Sequence, residues 1–383
     1  MTFKPLEMNT PGFKLNMKTL FDYAYRVGAS DLLITADAPP MVRVDGDLHP
    51  AVNFRLEPPH TKKLLWSIIN ETQQEMLERQ RELDFSLSTS AQLRFRVNMY
   101  YQRGALAGAF RLIPNYIPKL EKLGLPPVVK EFALRQNGLI LLTGPTGSGK
   151  STTMASMLDL VNNTRRCHII TVEDPIEFVH ENKLSIIDQR EVYSDTHSFR
   201  NALKYVLRED PDVILIGEMR DQETIAAALT AAETGHLVIA TLHTNDAVQS
   251  IDRIIDVFTP HQQAQIRTQL AFTLIAIISQ QLVPRKDGNG RILACELLIK
   301  NNAVGAHIRD GKTHQTRSVM ETGRQEGMQT LDKSLQDLYS QGLITFDELS
   351  RRVSSRLILR EMMKSISKEE ADALKQGNGG TAI

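Results

Sequence analysis

The chain has 383 residues, of which 42% are hydrophobic and 23% are charged, and this balance is ordinary for a globular protein with two or three domains. Its 45 basic and 45 acidic side chains cancel to a formal net charge of zero, so no overall field draws it to nucleic acid or anionic lipid. The two cysteines, Cys167 and Cys295, form neither a C-x-x-C pair nor a zinc framework, and both are expected to be packed free thiols in a reducing compartment.

The first 113 residues mix helical and strand patterns, and they begin without the apolar core of a signal peptide. Four early elements are predicted from apolar spacing: a helix over 17–27, strands over 30–35 and 41–44, and a helix from 58 to about 80. A period of two then predicts a half-buried strand over 93–100, which is expected to pair with 105–113. We therefore predict a small α+β domain over residues 1–113.

Prolines at 114, 118, 126 and 127 mark a connector over residues 114–130, which is expected to be semi-rigid. Apolar runs then alternate with helical patterns over 131–300, which is typical of a doubly wound, mostly parallel sheet. The predicted strands are continuous apolar runs, as buried parallel strands require: 139–143, 168–172, 212–217 and 236–241.

The longest apolar stretch, residues 270–278, is shorter than the roughly 20 residues that span a bilayer, so membrane attachment is expected to be peripheral. A turn at 286–290 separates two further apolar runs. Residues 301–367 have helical patterns, and the polar, glycine-rich stretch 368–383 is expected to be disordered.

The segment after the predicted strand 139–143 has the sequence of a phosphate-binding loop. Its glycines let the backbone approach phosphate closely, and the N–H groups of the following helix attract an anion. Lys150 is expected to reach the β- and γ-phosphates, and the Ser151 hydroxyl to ligate Mg²⁺. The alternative, a chance glycine-rich turn, is disfavoured by the strand and helix that flank it. The candidate nucleotide-binding residues are Gly144, Pro145, Thr146, Gly147, Ser148, Gly149, Lys150, Ser151 and Thr152.

Carboxylates follow two of the predicted strands. Glu173, Asp174 and Glu177 come after 168–172, and Glu218 follows 212–217. The strand ends of an open α/β sheet line its ligand crevice, so these groups are candidates to hold metal-bound water and an attacking water. Gly217 stands where an acid usually precedes Glu218, so Glu218 alone must serve from that strand. A helix cap or a solvated loop charge remains the alternative for each carboxylate.

Histidines and arginines supply the remaining candidates. His236 and His243 flank the strand 236–241, and His243 falls at its carboxyl end, where a γ-phosphate would be sensed. A single histidine at a strand end is more often structural. Arginines of the first domain, including Arg96 and Arg111, would stabilise a phosphoryl-transfer transition state if they lay near the γ-phosphate. The sequence alone indicates no more than that these arginines lie on the solvent-exposed face of a strand.

Taken in order, four stretches resemble the Walker A, Asp-box, Walker B and His-box motifs of the type II/IV secretion ATPase superfamily: 144–151, 172–178, 217–221 and 234–243. The chain is most similar to the type IV pilus retraction ATPases of the PilT/PilU family, and within it to the PilU branch. The similarity covers about residues 17–350, and the stretch 29–46 resembles the family's PAS-like N-terminal domain.

The resemblance implies a RecA-like ATPase domain after a PAS-like domain, in a homohexamer with ATP and Mg²⁺ between the two domains. It assigns Glu177 as the catalytic glutamate, Glu218 as the Walker B glutamate that contacts Mg²⁺ through water, and His236 and His243 as the His-box pair. Arg96 and Arg111 are possible phosphate contacts. The implied function is a motor for pilus retraction and twitching motility, cytoplasmic and peripheral at the inner membrane. The implied partners are a PilT-type paralogue and an inner-membrane platform protein, with no nucleic acid.

One departure keeps alternatives open. The retraction motif Ala-Ile-Arg-Asn-Leu-Ile is replaced here by residues 303–308, Ala-Val-Gly-Ala-His-Ile, without the arginine and asparagine. This change favours a motor auxiliary to a PilT-type ATPase over an independent one. A second hypothesis is an accessory docking subunit with little turnover. A third is a hexameric nucleic-acid translocase, which zero net charge and the lack of a basic–aromatic stripe disfavour. The absent cysteine cluster of the assembly branch argues against a pilus-extension ATPase.

Overall fold

The computed structural model describes residues 5–6, 15–44, 46–89, 93–113, 116–355, 359–360 and 363. The chain divides into two compact units: Met1–Tyr116 with Glu177–Val179, and Ile117–Ile176 with His180–Ile383. Pro114 of the predicted connector and the predicted tail 368–383 lie outside the described residues. The finer division of the chain into five segments stays a prediction.

The first unit contains a six-stranded antiparallel sheet with the strand order β3-β2-β1-β6-β5-β4. Its strands are β1 (Asp31–Ile34), β2 (Met41–Val44), β3 (Asp47–Pro50), β4 (Glu82–Ser88), β5 (Arg94–Gln102) and β6 (Ala105–Ile113). Its helices are α1 (Met17–Arg26), α2 (Pro58–Trp66) and α3 (Glu71–Gln80). The predicted pairing of 93–100 with 105–113 is confirmed as the β5–β6 ladder.

Local sequence explains how these helices begin and end. The Asn16 side chain accepts a hydrogen bond from the Thr19 N–H at 2.9 Å and so caps α1, whose C-terminal end is followed by Gly28 at φ +67°. The prediction of one helix from 58 to about 80 is wrong. The first helix ends at Trp66, and Asn70, which has extended backbone and accepts from the Gln73 N–H at 2.9 Å, caps the start of a second one. Phe21 of α1 stacks on Phe95 with ring centroids 4.3 Å apart, which joins the helices to the sheet.

The second unit is built on a seven-stranded sheet with the strand order β13-β12-β7-β11-β10-β8-β9. Neighbouring strands are parallel except for the antiparallel pair β12–β13. The strands are β7 (Gly138–Thr143), β8 (His168–Glu173), β9 (Ile186–Glu191), β10 (Val213–Ile216), β11 (Leu237–Leu242), β12 (Leu274–Pro284) and β13 (Arg291–Ile299). The four predicted parallel strands are confirmed, and the predicted turn 286–290 joins β12 to β13.

Helices cover both faces of this sheet, as the predicted doubly wound architecture requires. They are α4 (Val129–Ala133), α5 (Lys150–Thr164), α6 (Phe199–Val206), α7 (Gln222–Glu233), α8 (Ala247–Asp256) and α9 (Pro260–Thr273). Successive residues of β7 alternate between two apolar clusters. Leu139 and Leu141 pack in one with α6 to α9, whereas Ile140 and Leu142 pack in the other with α5.

The C-terminal region is helical up to Arg352, as predicted. Its helices are α10 (Asn302–Arg309), α11 (Thr316–Thr322), α12 (Leu331–Ser340) and α13 (Phe346–Arg352). The side chain of Glu296 in β13 is buried and accepts hydrogen bonds from the first N–H groups of two helices, Ala247 of α8 at 2.8 Å and Leu331 of α12. Within the described ranges, no helix combines the length and apolar character needed to cross a bilayer.

Candidate nucleotide-binding site

The loop between β7 and α5 has the backbone that a phosphate-binding loop needs. Gly144, Gly147 and Gly149 have φ angles of +134°, +77° and +95°, which side-chain-bearing residues rarely adopt. A Cβ at Gly144 would lie 2.3 Å from the carbonyl oxygen of Gln280, so only glycine fits there. A Cβ at Gly147 would meet nothing within 4 Å, because this side of the loop is open. The loop is therefore anchored at its base and accessible at its tip.

Lys150 and Ser148 show how the loop is prepared for an anion. The buried Lys150 ammonium donates to the carbonyl oxygens of Gly144 at 2.7 Å and Pro145 at 3.1 Å. The Ser148 hydroxyl is also buried, and among the described residues it has no hydrogen-bond partner. Ser151 and Thr152 lie half-buried in the first turn of α5, where the helix dipole favours negative charge. An ammonium, an unsatisfied hydroxyl and a helix N-terminus together suit a phosphate chain.

Glu218 lies just beyond β10 and is held by two basic side chains. The Arg220 guanidinium forms a bidentate contact with its carboxylate. The Nε atom lies 2.6 Å from Oε1, and one terminal nitrogen donates to Oε2 at 2.7 Å. The Nε2 atom of His243, beyond β11, lies 3.3 Å from the same Oε1. Burial alone would raise the pKa of Glu218, but the hydrogen bonds and charges of Arg220 and His243 outweigh it and lower the pKa below its usual value. The carboxylate is thus ionised at neutral pH.

Gly217 has a steric reason to replace an acid. Its N–H donates to the Val172 carbonyl at 2.8 Å, and a Cβ on it would lie 3.2 Å from both Val172 O and Glu173 Cα. The ends of β8 and β10 therefore leave little room at this point for a side chain on residue 217. Glu218 is the carboxylate that this strand end presents.

The carboxylates after β8 are tied into the neighbouring strand β9. Glu173 accepts from the Thr171 hydroxyl at 2.6 Å and from the Gln189 amide at 3.2 Å. Glu191 is 5% exposed and accepts from the Ile176 N–H at 3.1 Å, so it holds the segment that leads to Glu177. Sequence reasoning missed Glu191, because the mixed polar and apolar residues of β9 do not signal a strand.

The two histidines that flank β11 lie at opposite edges of the sheet. Leu242 pairs with Thr143 beside the loop, whereas Leu237 pairs with Gly138 at the start of β7. His236 precedes Leu237, so about 20 Å of strand separates it from the loop. Its Nδ1 atom lies 2.9 Å from the Ala231 carbonyl oxygen. The structure thus brings His243 to Glu218 and leaves His236 at the other edge.

Glu177 and the candidate arginines belong to the first unit, whereas the loop, Glu218 and His243 belong to the second. Arg111 of β6 pairs with Asp31 of β1 at 2.9 Å, and its side chain is 71% exposed. Arg96 of β5 lies opposite Arg111 in the ladder and is also exposed. The two arginines therefore lie on the same face of this sheet, where Asp31 pairs with one of them. The catalytic role of Glu177 and the phosphate contacts of Arg96 and Arg111 stay predictions.

Comparison with known proteins extends over most of the chain. The family model described as "Type II/IV secretion system protein" matches residues 13–371. PilT of Pseudomonas aeruginosa, named as the type IV pilus retractation ATPase, is 47% identical over 331 residues, which are 86% of this chain and 96% of PilT. PilU of the same organism, named as a type IV pilus ATPase, is 41% identical over 356 residues, 93% of each chain.

A solved structure supports the same relationship. The crystal structure of the pilus retraction motor PilT with bound ADP superposes with a TM-score of 0.86 at 49% identity, covering 91% of this chain and all of that one. The identity is higher with PilT, and the match with PilU extends over more of the chain. Overall similarity therefore does not decide whether the chain is of the PilT or of the PilU type.

Proposed function

Because the chain belongs to the type II/IV secretion system protein family, as an ATPase of the PilT and PilU type, we propose that it hydrolyses ATP to drive type IV pilus retraction and twitching motility. One observation carries the proposal. The phosphate loop follows β7, His243 follows β11 and Glu218 follows β10, and these three strands are neighbours in the sheet. A phosphate cradle and an ionised carboxylate thus share one edge, which is the arrangement that nucleotide hydrolysis requires.

Each residue has a distinct part in this proposal. Lys150 and the N–H groups of the loop bind the phosphates, and the unsatisfied Ser148 hydroxyl supplies a further donor. The Ser151 hydroxyl, and Glu218 through water, would hold Mg²⁺, which when bound neutralises phosphate charge. Glu177 would accept the proton of the attacking water, and Arg96 and Arg111 would face the phosphates. Arg220 and His243 keep Glu218 ionised for its role.

The assembly is also part of the proposal. A homohexamer built from the PAS-like segment 1–113 and the RecA-like segment 131–300 would place nucleotide between these domains, with 114–130 as connector. It would act in the cytoplasm, peripherally at the inner membrane. Its partners would be a PilT-type paralogue and the inner-membrane pilus platform protein. No nucleic acid is required.

An auxiliary role is favoured by α10, the helix that carries residues 303–308. Gly305 occupies the place of the arginine in the retraction motif, and it is buried. A Cβ there would lie 3.5 Å from both the Arg309 guanidinium and the Lys300 side chain, so two cationic side chains border this position. A third cation at residue 305 would meet like charge. We therefore propose a motor that works alongside a PilT-type ATPase, with a docking subunit of low turnover as the second candidate.

Phosphate release by the purified protein tests the proposal. With Mg²⁺ and ATP, the wild type is expected to turn over, whereas Lys150→Ala loses ATP binding and Glu177→Gln binds ATP but loses turnover by at least about 10²-fold. Glu181→Gln is the matched control for Glu177→Gln, since Glu181 is exposed four residues later in the same segment. Its turnover should equal that of the wild type.

The outcomes separate the candidates. Binding of ATP without turnover, alone and at high protein concentration, would overturn the independent ATPase and leave the docking subunit. Turnover that rises only on addition of a PilT-type paralogue would assign the auxiliary role. Stimulation of several-fold by single-stranded DNA would instead favour a translocase.

A further inference from the structure

Two consecutive residues of β12 hold the segments on either side of the phosphate loop. Before the loop, the Thr143 hydroxyl donates to the Ser279 hydroxyl at 2.7 Å. After the loop, the Gln280 amide nitrogen donates to the Thr153 hydroxyl in the first turn of α5 at 2.9 Å. The four residues are at most 1% exposed. Both bonds join residues more than 100 positions apart in the chain.

Gln280 also touches the loop through its main chain. Its carbonyl oxygen lies 2.3 Å from the position that a Cβ of Gly144 would take, so the first residue of the loop packs directly on β12. Side chains of successive strand residues point to opposite faces, so Ser279 and Gln280 reach the loop base from two sides. One strand therefore fixes both ends of the loop.

The Gln280 amide is not needed to hold its own strand. β12 is already bound by main-chain ladders to β7 and to β13. The side chain is 1% exposed, and its Oε1 atom has no hydrogen-bond partner among the described residues. Burying an amide oxygen without a partner is costly, so an apolar side chain of similar size would suit a purely packed position better. Within the described residues, the hydrogen bond of this amide goes to Thr153 of α5.

We propose that Gln280 is a positioning residue for nucleotide binding: through Thr153 it fixes the first turn of α5 and so pre-organises the phosphate loop. This inference rests on the proposed nucleotide-binding function. A loop held in its binding conformation spends less free energy on ordering when the ligand arrives. Loss of the bond should therefore weaken nucleotide binding, beyond any effect on folding.

A double-mutant cycle tests the proposal in the full-length protein. Gln280→Met and Thr153→Val each remove one partner with nearly unchanged volume, and the probe is a fluorescent ADP analogue whose Kd is measured by titration. Each single variant is expected to raise Kd about tenfold, and the double variant no more than the weaker-binding single variant. Gln281→Met is the matched control, since Gln281 is the same residue type at the next position of β12 and points to the other face. Its Kd should match the wild type.

Thermal unfolding of the same variants separates positioning from stability. A lower melting temperature with unchanged Kd in Gln280→Met would overturn the proposal. So would a double variant whose fold-increase in Kd equals the product of the fold-increases of the two single variants. If Gln280→Met does not fold, Thr153→Val decides alone, because it removes the same bond from the other side. A wild type that fails to bind the analogue would overturn the nucleotide-binding function itself. Binding by the wild type with unchanged Kd in both single variants would overturn only the role of Gln280.

Discussion

The two edges of the seven-stranded sheet use similar polar residues in different ways. At the carboxyl edge, Glu218 bridges Arg220 and His243, and the Ser148 hydroxyl has no hydrogen-bond partner in the part of the chain that the structure describes. At the amino edge, His236 bonds to the main chain of the preceding helix. His168, at the start of β8, is likewise satisfied on both ring nitrogens, by Asp210 O and by Asp188 Oδ2, each at 3.1 Å. Polar groups at one edge are available for a ligand, and those at the other complete the fold.

The direction of the strands explains this difference. Parallel strands bring all their carboxyl ends to one edge, where the loops are free to shape a site. At the opposite edge, β8, β10 and β11 each follow a helix, and the histidines there bond to nearby backbone groups. A residue's place along a strand therefore decides its role more than its type does. Four pairs of substitutions test this contrast.

The largest difference is expected between two carboxylates that each contact a histidine. Glu218→Ala removes the anion that Arg220 and His243 share, so turnover should fall by at least about 10²-fold. Asp188→Ala removes the partner of His168 at the amino edge, and turnover should stay within about twofold of the wild type. The measurement is the phosphate-release rate of each variant, and circular dichroism checks that both variants are folded. Equal losses would abolish the contrast between the edges.

The next largest difference is expected between the two histidines of β11. His243→Ala frees Glu218 from one of its two partners, and turnover should fall about tenfold. His236→Ala removes a hydrogen bond to Ala231 and should cost about 1 kcal/mol of unfolding free energy with little effect on turnover. Steady-state kinetics and urea titration measure the two quantities. A matching loss of turnover in His236→Ala would instead support the role that the family resemblance assigns to it.

Substitution of glycine should have opposite effects on stability at two sites. Gly217→Ala forces a Cβ to within 3.2 Å of the β8 backbone, so the free energy of unfolding should fall by about 1–3 kcal/mol. Gly305→Ala serves as the control, since its Cβ meets only ordinary contacts inside α10. It should gain about 0.5–1 kcal/mol, because alanine favours the helix. Urea unfolding of both variants gives the signs, and a stabilised Gly217→Ala would refute the steric explanation of the altered Walker B motif.

The smallest effects are expected from pH, and their signs differ between two glutamates. The pKa of Glu218 is lowered, so its stabilising contribution is present above the ordinary glutamate pKa and is lost as pH falls through its folded value. The pKa of Glu296 is raised, mainly by burial and further by the charge of Asp246, against the hydrogen bond from Ala247. Its contribution is present below the ordinary pKa and is lost as pH rises through its folded value.

Unfolding free energies measured from pH 3 to pH 7 test these signs. Compared with Glu218→Gln, the wild type should lose stability on acidification. Compared with Glu296→Gln, it should lose stability as the pH rises above the ordinary glutamate pKa. Slopes of the same sign for both pairs would contradict the different environments assigned to the two carboxylates.

The sequence predicted those parts of the fold and the site that depend on neighbouring residues. The phosphate loop is one continuous segment, and the buried strands β7, β10 and β11 are continuous apolar runs. Glu191 and Gln280 were not predicted, because their contacts join residues 15 and 127 positions apart through the tertiary structure. The break between α2 and α3 was missed because one helical pattern runs across residues 67–70, where Ser67 ends α2 and Asn70 caps α3.

Glu296 gives two distant parts of the second unit a common fixed point. Its carboxylate receives the first N–H groups of α8 and α12, whose helix dipoles both direct positive charge towards it. α8 starts four residues after His243, and α12 belongs to the C-terminal helices. A shift of α12 relative to α8 would therefore lengthen or break one of these two buried hydrogen bonds, so Glu296 links the start of α12 to the start of the helix that follows His243.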